Sequence, residues 1–461
     1  MTPVVRLFPL LFVVALGLSG CVSTSGAPVR EVAERRATPE QVGGLPIANT
    51  FGPARPEAPG RSNAEIAADF LDLSFQMESG RVIPRLSRFE GPVTVRIAPG
   101  APATLPAELD RLIGRLRGEA GIDIRRTPYA EGPASITIET MPRAQMQRFV
   151  PEAACFVVPR VASWAEFRRL RNSREMDWTT LGTREQVAVF LPSDVPPQEI
   201  RDCLHEELAQ ALGPLNDLYR LPDSVFNDDN FHAVLTGFDM LVLRAYYDPA
   251  LRSGMTRSEV AAVLPGVLAR LNPRGERGGA TTPAATPRAW IDAIETALGP
   301  GTRDAQRIAA AERAVTLARQ AGMSDARLAF SYFALGRLSL ATDAEASVNA
   351  FLAAQNIYDR IAPNGIHAAH IDMQLAAFAL SSGSPEDALR LTGRAMPAAT
   401  AFQNASLLST VLMIRAEALD ALGRPSEARQ VRLDSLAWGR YGFGTNAAVG
   451  ARLTEVAALA P

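Results

Sequence analysis

The chain has 461 residues, 47% hydrophobic and 21% charged, with a net charge of −2. That is length for two or three domains of roughly 100–200 residues with buried cores, and it excludes bulk electrostatic binding to nucleic acid or anionic membrane, which needs a basic excess. Short basic clusters such as "EFRRLRNSR" (Glu166–Arg174) read as solvated helix faces.

The first 21 residues stand apart. Arg6 precedes the apolar run "LFPLLFVVALGL" (Leu7–Leu18), which is shorter than the roughly 20 residues of a membrane span. It ends in "LSGC" (Leu18–Cys21), a Leu, two small residues and a Cys. This resembles the lipobox of bacterial lipoproteins, in which the Cys is acylated and becomes the mature N-terminus; a plain signal peptide is the alternative. The resemblance implies a periplasmic, lipid-anchored protein, and Val22 after the cysteine favours the outer membrane over the inner. Export leaves Cys155 and Cys203 as a pair in an oxidising compartment. One disulfide is expected, closing a loop worth ~3–4 kcal/mol on the chain-entropy model, with two buried thiols as the alternative.

Residues 22–62 are rich in Pro, Gly and Ala without sustained periodicity and read as a flexible tether. Order is expected from Asn63. Apolar Ile66, Phe70, Leu71 and Phe75 have helical spacing. "PVTVRIAP" (Pro92–Pro99) alternates as a strand, and Leu105–Gly121 is an amphipathic helix. "ASITIETM" (Ala134–Met141), "ACFVVPR" (Ala154–Arg160) and "EQVAVFLP" (Glu185–Pro192) are further strands. A long helix then runs from Pro196-Pro197 to Gly213-Pro214, with proline and glycine in their usual terminal places. An α+β domain over 63–271 follows. Residues 272–287 are a low-complexity linker. From 288 to 461 the chain is rich in Ala and Leu and all-helical. "GSPEDA" (Gly383–Ala388) and "GRPSEA" (Gly423–Ala428) lie 40 residues apart between helical runs. They resemble degenerate tetratricopeptide repeats, an architecture that implies a surface for protein partners; an irregular helical bundle is the alternative.

The helix over residues 197–213 carries the motif. A zinc peptidase helix needs His at i and i+4, with Glu at i+1 as general base. From His205 the second ligand falls on Ala209, so that register fails. One residue on, "EELAQALGPLND" (Glu206–Asp217) resembles the metzincin pattern H-E-x-x-H-x-x-G-x-x-H-D. Glu207 takes the place of the catalytic Glu, Gly213 that of the turning Gly, and Asp217 that of the acid after the third ligand. Glu206, Gln210 and Asn216 replace the three histidines. "SVFND" (Ser224–Asp228) resembles the Met-containing turn, with Phe226 in the Met place, and "LTGFDMLVLRAYYDPAL" (Leu235–Leu251) resembles the closing helix. The first ordered stretch, "AADFLDLSFQMESGRVIPRLSRFEGPVTVRI", taken with "EELAQALGPLND", also resembles a shared domain of proteobacterial lipoproteins that has no assigned function.

Amide oxygens are poor zinc ligands, so no metal or other cofactor is expected. An oxygen-rich set at Glu206, Gln210, Asn216 and Asp217 would suit Ca²⁺ or Mg²⁺ better; Glu206 and Gln210 are also an i, i+4 pair able to bond each other. The resemblance implies a degenerate, zincin-like fold that binds an envelope peptide or protein in a cleft beside Glu206, Glu207, Gln210, Asn216 and Asp217. The alternatives are a hydrolase with Glu207 as general base, and an unrelated α+β domain. His205 is expected outward or packed, and His367 and His370 on an ordinary helix face. The partners expected are envelope proteins or peptides, through the helical domain and the cleft, and the membrane through lipid on Cys21; no nucleic acid is expected.

Overall fold

The computed structural model describes residues 49–460, apart from 53, 55–56, 152 and 278–283. Cys21, the apolar leader and most of the expected tether lie outside the described residues.

The first ordered helix, α1 (Asn63–Phe75), starts at a capping box. Ser62 accepts from the Glu65 amide, and the Glu65 carboxylate accepts from the Ser62 amide, which satisfies donors that a helix start otherwise leaves open. The following strands are β1 (Val93–Ile97), β2 (Ile124–Arg126), β3 (Ile136–Met141), β4 (Phe156–Pro159) and β5 (Val187–Pro192). They form one sheet in the order β2-β1-β3-β5-β4. All neighbouring pairs are parallel except β4 with β5. Helices α2 (Leu105–Glu119), α3 (Arg143–Met146) and α4 (Trp164–Leu170) lie in the connections, and α5 (Pro197–Leu212), α6 (Gly237–Tyr246) and α7 (Arg257–Leu271) follow the sheet.

Period-two alternation sorts the sheet's side chains. Val187, Val189 and Leu191 of β5 enter the main core with α1, α2, α5, α6 and α7. Ala188 and Phe190 face a second, aromatic cluster with Trp164 and Phe167 of α4. The expected elements are present in this α+β unit. The three-residue β2 was not visible in the sequence, because so short a stretch carries no alternation.

The C-terminal region is all-helical: α8 (Arg288–Leu298), α9 (Asp304–Gln320), α10 (Ala326–Ser339), α11 (Ala344–Ile361), α12 (Ile366–Ser381), α13 (Pro385–Ala401), α14 (Ala405–Ala421), α15 (Pro425–Gly442) and α16 (Asn446–Ala457). Successive helices pack in pairs, α12 with α13 and α14 with α15 among the closest. The two G-x-P-x-x-A segments occupy equivalent turns. Gly383 and Gly423 adopt φ of 75° and 70°, a left-handed conformation that favours glycine. Pro385 and Pro425 then open α13 and α15.

The α+β and helical units share a loop. Tyr219 and Phe231, between α5 and α6, belong to the helical unit's core. The Phe231 ring lies 4.6 Å from His367 and 5.0 Å from Phe333. Asp229 contacts His367 Nε2 at 2.9 Å. His367 and His370 are buried at this junction rather than on an ordinary helix face. Within the stretch expected as tether, Phe51 stacks on Trp438 at 4.4 Å and the Asn49 amide donates to the Ala437 carbonyl. Contacts thus fix residues 49–51 on α15, while Arg61, near the end of that stretch, pairs with Asp69 and Asp223 of the α+β unit, none of which its Pro/Gly composition revealed.

Candidate functional site

The site is built on α5. Pro197 opens the helix, and twelve of its sixteen residues are buried, so its polar side chains meet protein rather than bulk water. The disulfide Cys155–Cys203 is present and ties α5 to the start of the edge strand β4. At the other end the buried guanidinium of Arg184 donates to the carbonyls of Gln210 (2.5 Å), Ala211 (2.7 Å) and Gly213. These are the orphan acceptors of a helix C-terminus, and their cap comes from a residue ahead of β5 that no local motif marks. Gly213 is required by a close approach: a Cβ there would lie 3.0 Å from the Tyr246 ring.

The residues standing at the three histidine positions diverge. Asn216 is buried, and its amide donates to the Asp72 carbonyl at 3.1 Å. Gln210 is buried, and its amide reaches Asp217 at 3.4 Å. Glu206 is partly exposed and lines a cavity of about 40 Å³ between α5, the 225–233 loop and the start of α14. Glu207 is only 4% exposed, and no donor reaches its Oε2. The buried Oδ1 of Asp217 has no donor either. Two acids that the sequence did not single out join them. Glu78, from the loop after α1, faces Asp217 so that the two carboxyls share a hydrogen bond when one is protonated. Asp228 belongs to the shared loop.

Electrostatics follow from this crowding. Burial, then the charges of Glu78, Asp228 and Asp202, push Glu206 up to about 8. Burial, then Glu206 and Glu78, raise Glu207 well above the usual carboxylate range. Burial, then the charges of Glu78, Asp228 and Glu206, raise Asp217 well above the usual carboxylate range. Protein on several sides, then Glu78, pushes Asp228 up to about 7. Glu78 and Asp228 nevertheless reach solvent, and water screens exposed charges, so the buried Glu207 and the half-buried Asp217, with its enclosed Oδ1, are the strongly perturbed members. Among the described residues none of these five acids forms an ion pair with an arginine or histidine.

Residues 63–266 match a family described as "Protein of unknown function (DUF2927)". A DUF2927 domain covers those residues. It contains α1, the whole sheet, α5, α6 and most of α7, and therefore all five acids. No curated protein and no solved structure matches the chain.

Zinc does not fit the DUF2927 domain at the place the metzincin resemblance points to. The three imidazole positions are a carboxylate and two amides, and both amides are bonded within the fold. Among the described residues no three His, Cys, Asp or Glu are placed to hold a metal ion. His205 is buried, and its Nδ1 accepts from the Leu235 amide at 3.1 Å, so it packs rather than points outward. His232 packs at the junction with the helical unit. Its Nε2 bonds the Pro222 carbonyl at 3.0 Å, and its ring lies 5.5 Å from His367. Sequence reasoning missed Glu78, Asp228 and Arg184 because each reaches α5 from a distant segment. Asp202 was in view, one turn before Glu206, but the metal pattern gives that position no role.

Proposed function

We propose that this chain is a lipid-anchored envelope protein whose α+β domain binds a peptide or protein segment without cutting it, on a degenerate zincin-like frame. The reading rests on the fate of the three ligand positions: Gln210 and Asn216 hold the fold together, and Glu206 faces a cavity. The order of sheet, α5, the loop through Phe226 and α6 agrees with the peptidase frame. Asp239 agrees too, since it closes a capping box with Thr236 at the start of α6 and also holds the Val225 amide of the loop. Glu207 favours binding over hydrolysis. Burial, then the charges of Glu206 and Glu78, raise Glu207 and disfavour the ionised form that a general base needs, and among the described residues no three metal-ligating side chains are grouped to counter that.

The paired helices of the C-terminal region, with their repeated left-handed glycine turns, suit a tetratricopeptide-like scaffold that presents a surface to protein partners. Acylation at Cys21 would place both units at the periplasmic face of the outer membrane.

The test combines metal analysis of the purified protein with incubation against denatured polypeptides. No stoichiometric metal, binding of the polypeptide and no cleavage support the proposal. Stoichiometric zinc with cleavage that disappears in Glu207→Gln establishes a hydrolase instead.

A further inference from the structure

A second cavity, of about 370 Å³, opens on another face of α5 from Glu206. Pockets that hold small molecules run from roughly 300 Å³ upward. Its walls are Phe51 and its neighbours ahead of α1, helix α2, Arg201 and His205 of α5, and Gln403 and Tyr441 of the helical unit. Part of the wall is apolar: Phe51, Leu112 and the bare backbone at Gly114 and Gly118, where a Cβ would meet nothing within 4 Å.

Two polar side chains of α5 open onto this space with donors to spare. Arg201 is only 2% exposed and His205 only 6%. They stand one turn apart, on the same helix face. The Nε and Nη2 atoms of Arg201 are occupied by Asp202 Oδ1 (3.0 and 2.7 Å) and the Gln403 carbonyl (2.9 Å). Its Nη1 has no acceptor among the described residues, yet it is not sealed in protein, so its two N–H groups look into the cavity. His205 Nδ1 accepts from the Leu235 amide. Burial, then the charges of Arg201, Arg115 and Arg111, hold the ring well below its usual range, so it is neutral and the proton sits on Nε2. That N–H likewise has no acceptor among the described residues and stays accessible from the cavity.

Charge selects the guest. Three guanidiniums line the cavity, Arg111, Arg115 and Arg201, against two carboxylates, Glu108 and Glu119. Both carboxylates are already held: Glu108 by Arg111 and the Tyr441 hydroxyl (2.6 Å), Glu119 by Arg115 (2.7 and 2.9 Å). Asp202, the partner of Arg201, lines the cavity beside Glu206 instead. One positive charge is left over, together with the open N–H donors. A carboxylate matches both: it carries one negative charge, and its two oxygens accept from a guanidinium and a further N–H at once. A phosphate dianion would exceed the surplus charge. We infer that the cavity between α2 and α5 binds the carboxylate of a small molecule with an apolar body, the carboxylate on Arg201 Nη1 and His205 Nε2 and the body against Phe51, Leu112 and the two glycines.

This site does not depend on peptide binding beside Glu206. A fatty acid and the C-terminus of a peptide both offer such a carboxylate, and the experiment separates the two sources. Calorimetry on the full-length protein compares octanoate with octanamide, and acetyl-alanyl-leucine with its carboxamide, with inorganic phosphate as a third anion. Two variants test the placement. Gly118→Leu fills the cavity, and leucine is the better helix former. His205→Asn keeps an oxygen for the Leu235 amide and removes the ring N–H. Thermal unfolding shows whether each variant folds; Gly118, on an exposed position of α2, decides the matter if His205→Asn does not.

The expected result is at least tenfold tighter binding of one acid than of its own amide, reduced at least tenfold in Gly118→Leu and in His205→Asn. A preference for octanoate identifies a lipid-derived carboxylate, and a preference for the peptide acid identifies a chain terminus. Equal binding of acid and amide in both pairs overturns the inference. A preference for the acid that survives unchanged in the folded variants places the carboxylate elsewhere and also overturns it. Tighter binding of phosphate than of either acid overturns the carboxylate assignment. Binding of neither acid overturns the site and leaves the reading beside Glu206 untouched.

Discussion

Replacing Glu206 by Gln should stabilise the protein, and more so as pH rises. Glu206 goes from an ordinary 4.5 to about 8 in the folded state. Between those values the folded chain keeps a proton that the unfolded chain has released, so each increment of pH favours unfolding. At ~1.4 kcal/mol per unit, the ceiling on this destabilisation above pH 8 is about 5 kcal/mol. Glu206 is partly exposed and shares its repulsion with Glu78, Asp228 and Asp202, so screening brings the expected gain to about 2 kcal/mol. The difference between wild type and Glu206→Gln should be under about 1 kcal/mol at pH 5 and reach about 2 at pH 8.5. Buried histidines such as His232 and His370, held at about 4 and about 3 by burial first and then by His367, act in the opposite direction below about pH 6.5. They are the same in both proteins and drop out of the difference. Urea unfolding followed by circular dichroism gives the readout: at a slope of about 2 kcal/mol per molar, the midpoint should rise by about 1 M at pH 8.5. A variant less stable than wild type at pH 8.5, or a difference that does not change with pH, would refute the repulsion described for the five acids.

Cys203→Ser should cost about 4 kcal/mol on the chain-entropy model, since the bridge to Cys155 closes 48 residues; calorimetry with and without reductant measures it, and only the wild type should respond to the reductant. Phe231→Ala removes an aromatic anchor from the helical unit's core and should cost about 3–5 kcal/mol. It should also split thermal unfolding into two transitions, because the two units lose a shared side chain. Cys21→Ser should move the protein from the membrane to the soluble fraction of fractionated cells; retention on the membrane would count against acylation there. Arg184→Met should lower stability and weaken peptide binding together, since the guanidinium caps the C-terminus of α5; amide exchange at residues 210–213 would report the loosened cap.

Much of the architecture was legible because it rests on local periodicity. The strand over 187–192 alternates between two cores, and the helix at 197–212 is bounded by proline and glycine, so both show in a single window of sequence. The disulfide was legible from cysteine number and the expected compartment. The acid cluster was half legible. Glu206, Glu207 and Asp217 share one motif, but Glu78 lies more than a hundred residues away and Asp228 in a loop read only as a turn. Their approach depends on how α1 and the shared loop pack against α5, and no spacing rule encodes that. The same holds for His367. Its i, i+3 relation to His370 suggested nothing beyond a helix face, whereas burial against Phe231 and Asp229 makes it part of the junction between the units.

The cavity beside Glu206 has walls separated by about two hundred residues of chain. Gln198, Asp202 and Glu206 lie within the DUF2927 domain, while Asn404 and Ser406 come from the start of α14, beyond the linker. A DUF2927 domain cut at that linker would therefore hold an open acidic groove, not a pocket. The appended helices complete the enclosure, so the pocket belongs to the junction of the two units and to neither of them alone.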